Sequence, residues 1–195
     1  MILVLQLNCL KHYPHTIDMV VPEVWMTPTP FKESRIWRFS SCAVLLLMSF
    51  CSKLIFGLNK PCVYRREALY RCVAKRPKRK PLITVSNHYS MIDDFLLPYM
   101  LPWEQLRNRP STRWVPGAKD VCCRTKQSAL FFQLGRVIPV VRGDGVYQHG
   151  MDFCVSRLNN GDWVHIYPEG IVNTSKDFMR LKWGKLIFCD IKKCH

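Results

Sequence analysis

Up to about residue 80 this chain is apolar in one block and basic in the next; from Pro81 onward, short apolar runs alternate with polar punctuation. Pro81-Leu-Ile-Thr-Val-Ser86 is β-branched and predicts a strand. Asp93 to Leu97 opens a helix that Pro98 is expected to end or kink. Ser128 to Leu134 predicts a short helix closed by Gly135, and Arg136-Val-Ile-Pro-Val-Val141 a strand that Pro139 confines to an edge or a bulge. Apolar residues at 147, 151, 154 and 158 predict a helix over Val146 to Leu158, stopped by Asn159-Asn-Gly161. Asp162 to Tyr167 is a further strand. Such alternation predicts an α/β fold, a mostly parallel or mixed sheet flanked by helices.

The apolar block lies upstream. Phe39 to Ser52 is 14 residues without a charge, bracketed by Arg38 and Lys53. Fourteen is short for a spanning helix and suits a re-entrant or interfacial segment; a buried core helix is the alternative. Residues 60–80 then hold nine basic residues (Lys60, Arg65, Arg66, Arg71, Lys75, Arg76, Lys78, Arg79 and Lys80) and one acid, Glu67. A polybasic segment beside an apolar anchor is the footprint expected of an anionic bilayer surface. The bland alternative is a solvated face on a helix over Tyr64 to Ala74.

Composition adds three points. The chain has 195 residues, room for one full domain, and a formal charge of +15, which speaks of phosphate-bearing partners rather than of fold. No aromatic ladder or nucleic-acid-binding motif accompanies the charge, so nucleic acid is not an expected partner. The ten cysteines form no CxxC pair, and Cys42, Cys51 and Cys154 sit inside apolar runs. They read as reduced thiols used as small hydrophobes. Cys189, Cys194 and His195 supply no second ligand pair, so no metal is expected. Met1 to Leu10 is apolar but lacks a basic flank and a cleavage site, and Asp18, Glu23 and Glu33 argue against a transit peptide. The organisation expected is a divergent segment over 1–34, a membrane-anchoring or re-entrant segment over 35–59, and a domain over 60–195.

In an α/β sheet, function collects beyond the carboxyl ends of the strands. Three such ends carry candidate chemistry. After the first strand comes Asn87-His88-Tyr-Ser-Met-Ile-Asp93. His88 and Asp93 meet only if the chain bends between them; the carboxylate then orients the imidazole, which takes a proton from an attacking hydroxyl. The competing role for Asp93 is a capping box with Ser90 at a helix start. The second end is Val141-Arg142-Gly143-Asp144-Gly145, where Arg142 and glycine N–H groups suit a phosphate, or simply make a tight turn. The third is Tyr167-Pro168-Glu169-Gly170. Glu169 there binds a glycerol or polyol hydroxyl, or is a solvated turn residue. There is no GxSxG elbow and no HExxH, and Cys122 and Cys123 lack any nucleophile signature.

HxxxxD, a strand-end arginine and (F/Y)PEG in that order resemble the glycerolipid acyltransferase family. His88 with Asp93, then Arg142, then Tyr167 to Gly170 match the three motifs in turn. Thr84 to Asp94, Gly145 to Asp152, Gly161 to Gly170, Val172-Asn-Thr-Ser175 and Lys182-Trp-Gly184 look closer still to its mitochondrial phospholipid transacylases. The likeness runs from about Asn59 to Gly184. It implies an interfacial protein of mitochondrial membranes, facing the intermembrane space. Such a protein moves acyl chains between phospholipids and lysophospholipids, cardiolipin prominent among them, without CoA or metal. A homo-oligomer is compatible with it. The carry-over assigns His88 and Asp93 to catalysis, and Asn87, Arg142, Gly143, Tyr167, Pro168, Glu169 and Gly170 to substrate contacts. A CoA-dependent lysophospholipid acyltransferase shares the same dyad. Lys185 to His195 departs from the family pattern, so a C-terminally incomplete domain is expected, and an inactive membrane-bound fragment is the rival from outside enzymology.

Overall fold

In the computed structural model, residues 2–6, 34–77, 79–107, 112–175, 177 and 179 are described. Residues 27–33 of the linker or turn that Thr-Pro-Thr-Pro-Phe-Lys-Glu-Ser predicts over 27–34, the Lys182-Trp-Gly184 motif and the tail with Cys189, Cys194 and His195 lie outside them. Strand β1 (Ile2–Gln6) runs antiparallel to β2 (Leu82–Ser86), which pairs in parallel with β5 (Trp163–Ile166). β3 (Val115–Ala118) pairs in parallel with β4 (Val137–Val140). A bridge between Trp114 and Val164, with Trp114 N–H donating to the Trp163 carbonyl at 2.8 Å, joins the two sets in the order β1-β2-β5-β3-β4. Among the described residues β4 pairs only with β3, which fits the edge position expected from Pro139. Neither β1 nor β3 is read from the sequence pattern.

Strand parity sorts the core. Ile83, Val164 and Ile166 pack on one face with Ile138, Met151, Cys154 and Leu158, under α7 (His149–Asn159). On the other face Leu82 and Trp163 pack with Leu69 and Val73 of α2 (Arg66–Ala74), Leu97 and Met100 of α3 (Asp93–Met100), and Leu106 of α4 (Trp103–Arg107). Two short helices, α5 (Lys119–Cys122) and α6 (Lys126–Leu134), join β3 to β4. At the turn into β5, Gly161 has φ +81°, and a Cβ there would lie 2.3 Å from the Arg79 Cα, so only glycine fits.

Two expectations are corrected. Pro98 does not end α3, which runs on to Met100. Proline leaves the carbonyl four residues back without its helical donor; Arg113 Nη2 supplies one, donating to the Asp94 carbonyl at 2.8 Å. The helix expected from Val146 starts only at His149. Gln148 caps that start from outside, because its side-chain amide is committed to Val141 and Gly145 backbone at 2.7 to 3.2 Å. The segment expected over 35–59 is one continuous helix, α1 (Arg35–Asn59), 25 residues long, of which the 14 uncharged residues are only a part.

At 1.5 Å per residue α1 spans about 37 Å, more than the roughly 30 Å of a bilayer core. It is long and apolar enough to cross a membrane. Counting uncharged residues underestimates it because its lysine turns inward: Lys53 Nζ donates to the Tyr99 carbonyl at 2.7 Å and to that of Leu101. Ser41, Leu45, Ser49 and Ser52 form the buried stripe. Ser41 Oγ donates to the Leu134 carbonyl at 2.8 Å and Ser52 Oγ to that of Phe95, so the stripe docks α1 on α6 and α3. The opposite face leaves Phe39, Leu47, Phe50, Leu54 and Leu58 exposed.

Candidate active site

The loop after β2 makes the bend that joins His88 to Asp93. Asp93 is the first residue of α3, and its Oδ2 accepts Tyr89 N–H at 2.7 Å and Ser90 N–H at 2.8 Å. The same oxygen lies 3.2 Å from His88 Nδ1. Helix capping and the dyad are therefore one arrangement: the N–H groups that fix the carboxylate also aim it at the imidazole. Only half of the anticipated capping box forms, since Ser90 Oγ accepts from Ile92 N–H at 3.3 Å rather than from Asp93. The His88 side chain keeps 18% of its surface exposed, and its Nε2 has no hydrogen-bond partner among the described residues. An imidazole held at Nδ1 and open at Nε2 is arranged to exchange a proton with a bound hydroxyl.

Tyr167 and Glu169, from the turn after β5, close on the same loop. The Tyr167 ring stacks on His88 with centroids 4.1 Å apart and planes 22° from parallel. Glu169 is only 2% exposed, and its Oε2 accepts His88 N–H at 3.3 Å. It is thus no solvated turn residue. Gly170, with φ +73°, closes the turn by donating its N–H to the Tyr167 carbonyl at 3.2 Å, over Pro168. Asn173 N–H donates to the His88 carbonyl at 2.6 Å, so both backbone polar groups of His88 are held.

Asn87 is half-buried beside His88, its Nδ2 3.5 Å from the Tyr89 hydroxyl. Arg142 makes no contact with the His88 cluster. It lies in the exposed turn after β4, its Nη1 2.9 Å from Asp120 Oδ2. Gly143 beside it has φ +90° with open space around it, so backbone conformation rather than room favours glycine.

Behind Tyr167 lies a polar group the sequence pattern did not reveal. Trp163 Nε1 donates to Thr84 Oγ1 at 2.8 Å. His165 Nδ1 lies 2.7 Å from that oxygen and its Nε2 3.2 Å from Ser86 Oγ. His165 is fully buried, and burial, helped by the charge of Arg113, pushes its pKa down to about 3, so it stays neutral. Its ring meets Tyr167 edge-on at 4.6 Å. The Tyr167 hydroxyl donates to Asp94 Oδ1 at 3.1 Å, and Arg113 Nη2 pairs with that same oxygen at 2.9 Å. Burial works against the Asp94 charge, but the charge and hydrogen bond of Arg113, joined by His165 and the Tyr167 hydroxyl, together hold the carboxyl below its usual range.

An apolar cavity of about 230 Å³ opens between α1, α3 and α6, with Leu45, Met48, Phe95, Leu97, Phe131 and Phe132 on its walls. Asp94 and Arg113 also line it. The seven described cysteines are free thiols. Burial, with Cys123 alongside, raises Cys122 to about 11, so it is protonated at neutral pH and a poor nucleophile. Among the described residues, no three His, Cys, Asp or Glu side chains gather in metal-binding geometry.

The Acyltransferase family model matches residues 62–189, and the chain belongs to that family. Its relatives narrow the branch. It is 43% identical over 172 residues to tafazzin of Drosophila melanogaster, covering 88% of this chain and 44% of that protein. Tafazzin of Saccharomyces cerevisiae is 30% identical, covering 78% of this chain and 50% of the relative. N-acylphosphatidylethanolamine synthase of Arabidopsis thaliana is 38% identical over 72% of this chain and 50% of its own. The chain thus spans about half the length of the curated relatives it matches. No solved structure matches it.

Proposed function

We propose that this chain carries the catalytic dyad of a phospholipid–lysophospholipid transacylase. The hydroxyl of a lysophospholipid attacks the ester carbonyl of a donor phospholipid while His88 Nε2 takes its proton. A new ester bond forms, the old one breaks, and the proton passes to the departing glycerol oxygen, so the donor leaves as a lysophospholipid. Asp93 orients His88 and steadies its protonated form. The observation that carries this reading is the 3.2 Å contact of His88 Nδ1 with Asp93, which leaves Nε2 open. The apolar cavity, which Asp94 next to the dyad residue Asp93 helps to line, gives a fatty chain room.

Glu169, Pro168 and Gly170 hold the His88 loop in this reading, while Arg142, Gly143 and Asn87 are left for the headgroup or glycerol. The outward apolar face of α1 and the exposed Lys60, Arg65, Arg71, Lys75 and Arg79 favour an anionic bilayer as the working surface. The tafazzin relatives support cardiolipin as a substrate and mitochondrial membranes as the site of action. The chemistry requires neither CoA nor a metal ion.

The test follows labelled acyl chains from cardiolipin-containing liposomes to lysophosphatidylcholine in buffer without CoA. Transfer is expected, and His88→Ala should lower it by at least about 10²-fold while liposome binding persists. Transfer that appears only when acyl-CoA is added would instead identify a CoA-dependent acyltransferase. A protein that binds liposomes yet transfers nothing under either condition would be an inactive membrane-bound fragment.

A further inference from the structure

Asp93 and Asp94 are neighbours in sequence, yet they face different partners. Asp93 meets the edge of the His88 ring through Nδ1. Asp94 makes no contact with His88; its Oδ1 accepts the Tyr167 hydroxyl at 3.1 Å and the Arg113 guanidinium at 2.9 Å. Tyr167 in turn lies flat against the His88 ring at 4.1 Å. The imidazole is therefore held on its edge by one acid and on its face by a ring that the other acid fixes.

We propose that Arg113, Asp94 and Tyr167 form a positioning relay that sets the plane of His88, and that Arg113, in a stretch to which the motifs assign nothing, is its anchor. This rests on the reading of His88 as the group that takes the proton. Three features of the geometry support it. Arg113 Nη2 holds Asp94 twice, at Oδ1 and at the backbone carbonyl, so both carboxylate and helix start are pinned to one guanidinium. His165 also meets the Tyr167 ring, edge-on at 4.6 Å, so the ring is held by a second contact besides His88. Tyr167 is only 7% exposed and stacked beneath His88, which makes it a platform for the imidazole rather than a headgroup contact. An imidazole rotated about its Asp93 bond would aim Nε2 away from the attacking hydroxyl, and such misplacement costs rate rather than binding.

The experiment measures acyl transfer by Tyr167→Phe, Asp94→Asn, the double variant and Arg113→Lys, with His88→Ala alongside. Tyr167→Phe keeps the stacked ring and loses only the hydroxyl. It should lower kcat roughly tenfold with KM changed less than about twofold. Because both single variants weaken the same link, Asp94→Asn by exchanging the charged acceptor for an amide oxygen and Tyr167→Phe by removing the donor, the double variant should lose little more than the worse of them. Arg113→Lys, which keeps a cation near Asp94, should retain more activity than Arg113→Met. The proton resonances of the His88 ring, assigned by their loss in His88→Ala, should shift in Tyr167→Phe and in Asp94→Asn. If His88→Ala abolishes transfer while Tyr167→Phe and Asp94→Asn keep the parent kcat and leave those resonances in place, the relay is overturned and the dyad stands. If His88→Ala keeps full transfer, the dyad reading falls and the relay with it, whatever the resonances do.

Discussion

Under α7, β2 and β5 present Ile83, Val164 and Ile166, with Leu158 and Cys154 fully buried above them. On the opposite face the same two strands, in the register Leu82–Trp163 then Thr84–His165, begin apolar and turn polar toward their carboxyl ends. One face is a plain core that sets stability. The other passes from Trp163 through Thr84 and His165 to Tyr167 and His88 in unbroken contact, and so builds the floor of the site. The difference shows how one pair of strands serves both ends: period-two alternation lets each face change chemistry independently.

Breaking the apolar face should have the largest effect. Leu158→Ala, at a fully buried position, should cost about 2–5 kcal/mol in urea denaturation, with transfer per folded molecule unchanged. A smaller cost with lost activity would mean that the faces are coupled. Thr84→Val, nearly isosteric, strips an oxygen from between Trp163 Nε1 and His165 Nδ1 and should cost about 1–3 kcal/mol. Unlike Leu158→Ala, it should also lower transfer. The same polar face also sets a slope with pH. His165 stays neutral in the fold down to about 3, whereas an unfolded histidine takes up a proton near 6.5. The unfolded chain then binds the extra proton, so this contribution is complete above pH 6.5. It is lost as pH falls from there toward 3, by at most about 1.4 kcal/mol per unit. His165→Leu should flatten that slope; an unchanged slope would show that the imidazole is charged in the fold.

What could be read ahead of the coordinates follows from how local each feature is. β2 and β5 announce themselves by β-branched runs, and the bend from His88 to Asp93 by a strand ending just before two acids. Helix α3 was cut short because proline's missing donor is visible in sequence, whereas the guanidinium that compensates lies 19 residues away. The same separation hid Arg113 and the second duty of Asp94, although Asp94 stands beside the motif. β3 has four residues, Val-Pro-Gly-Ala, two of them poor strand formers, and only its neighbours β4 and β5 make it a strand. The bounds of α1 are legible in the sequence, but its capacity to span is masked by Lys53, whose charge interrupts the apolar run and is folded inward onto the carbonyls of Tyr99 and Leu101.

Pro98 carries a consequence beyond its own place in α3. An ordinary residue there would offer its own amide hydrogen to the Asp94 carbonyl, one turn back along the helix, and would compete with Arg113 for that oxygen. The ring withholds that hydrogen and so reserves the oxygen for a donor from another part of the chain. A single absent hydrogen atom in the backbone thus helps decide where a distant arginine comes to rest.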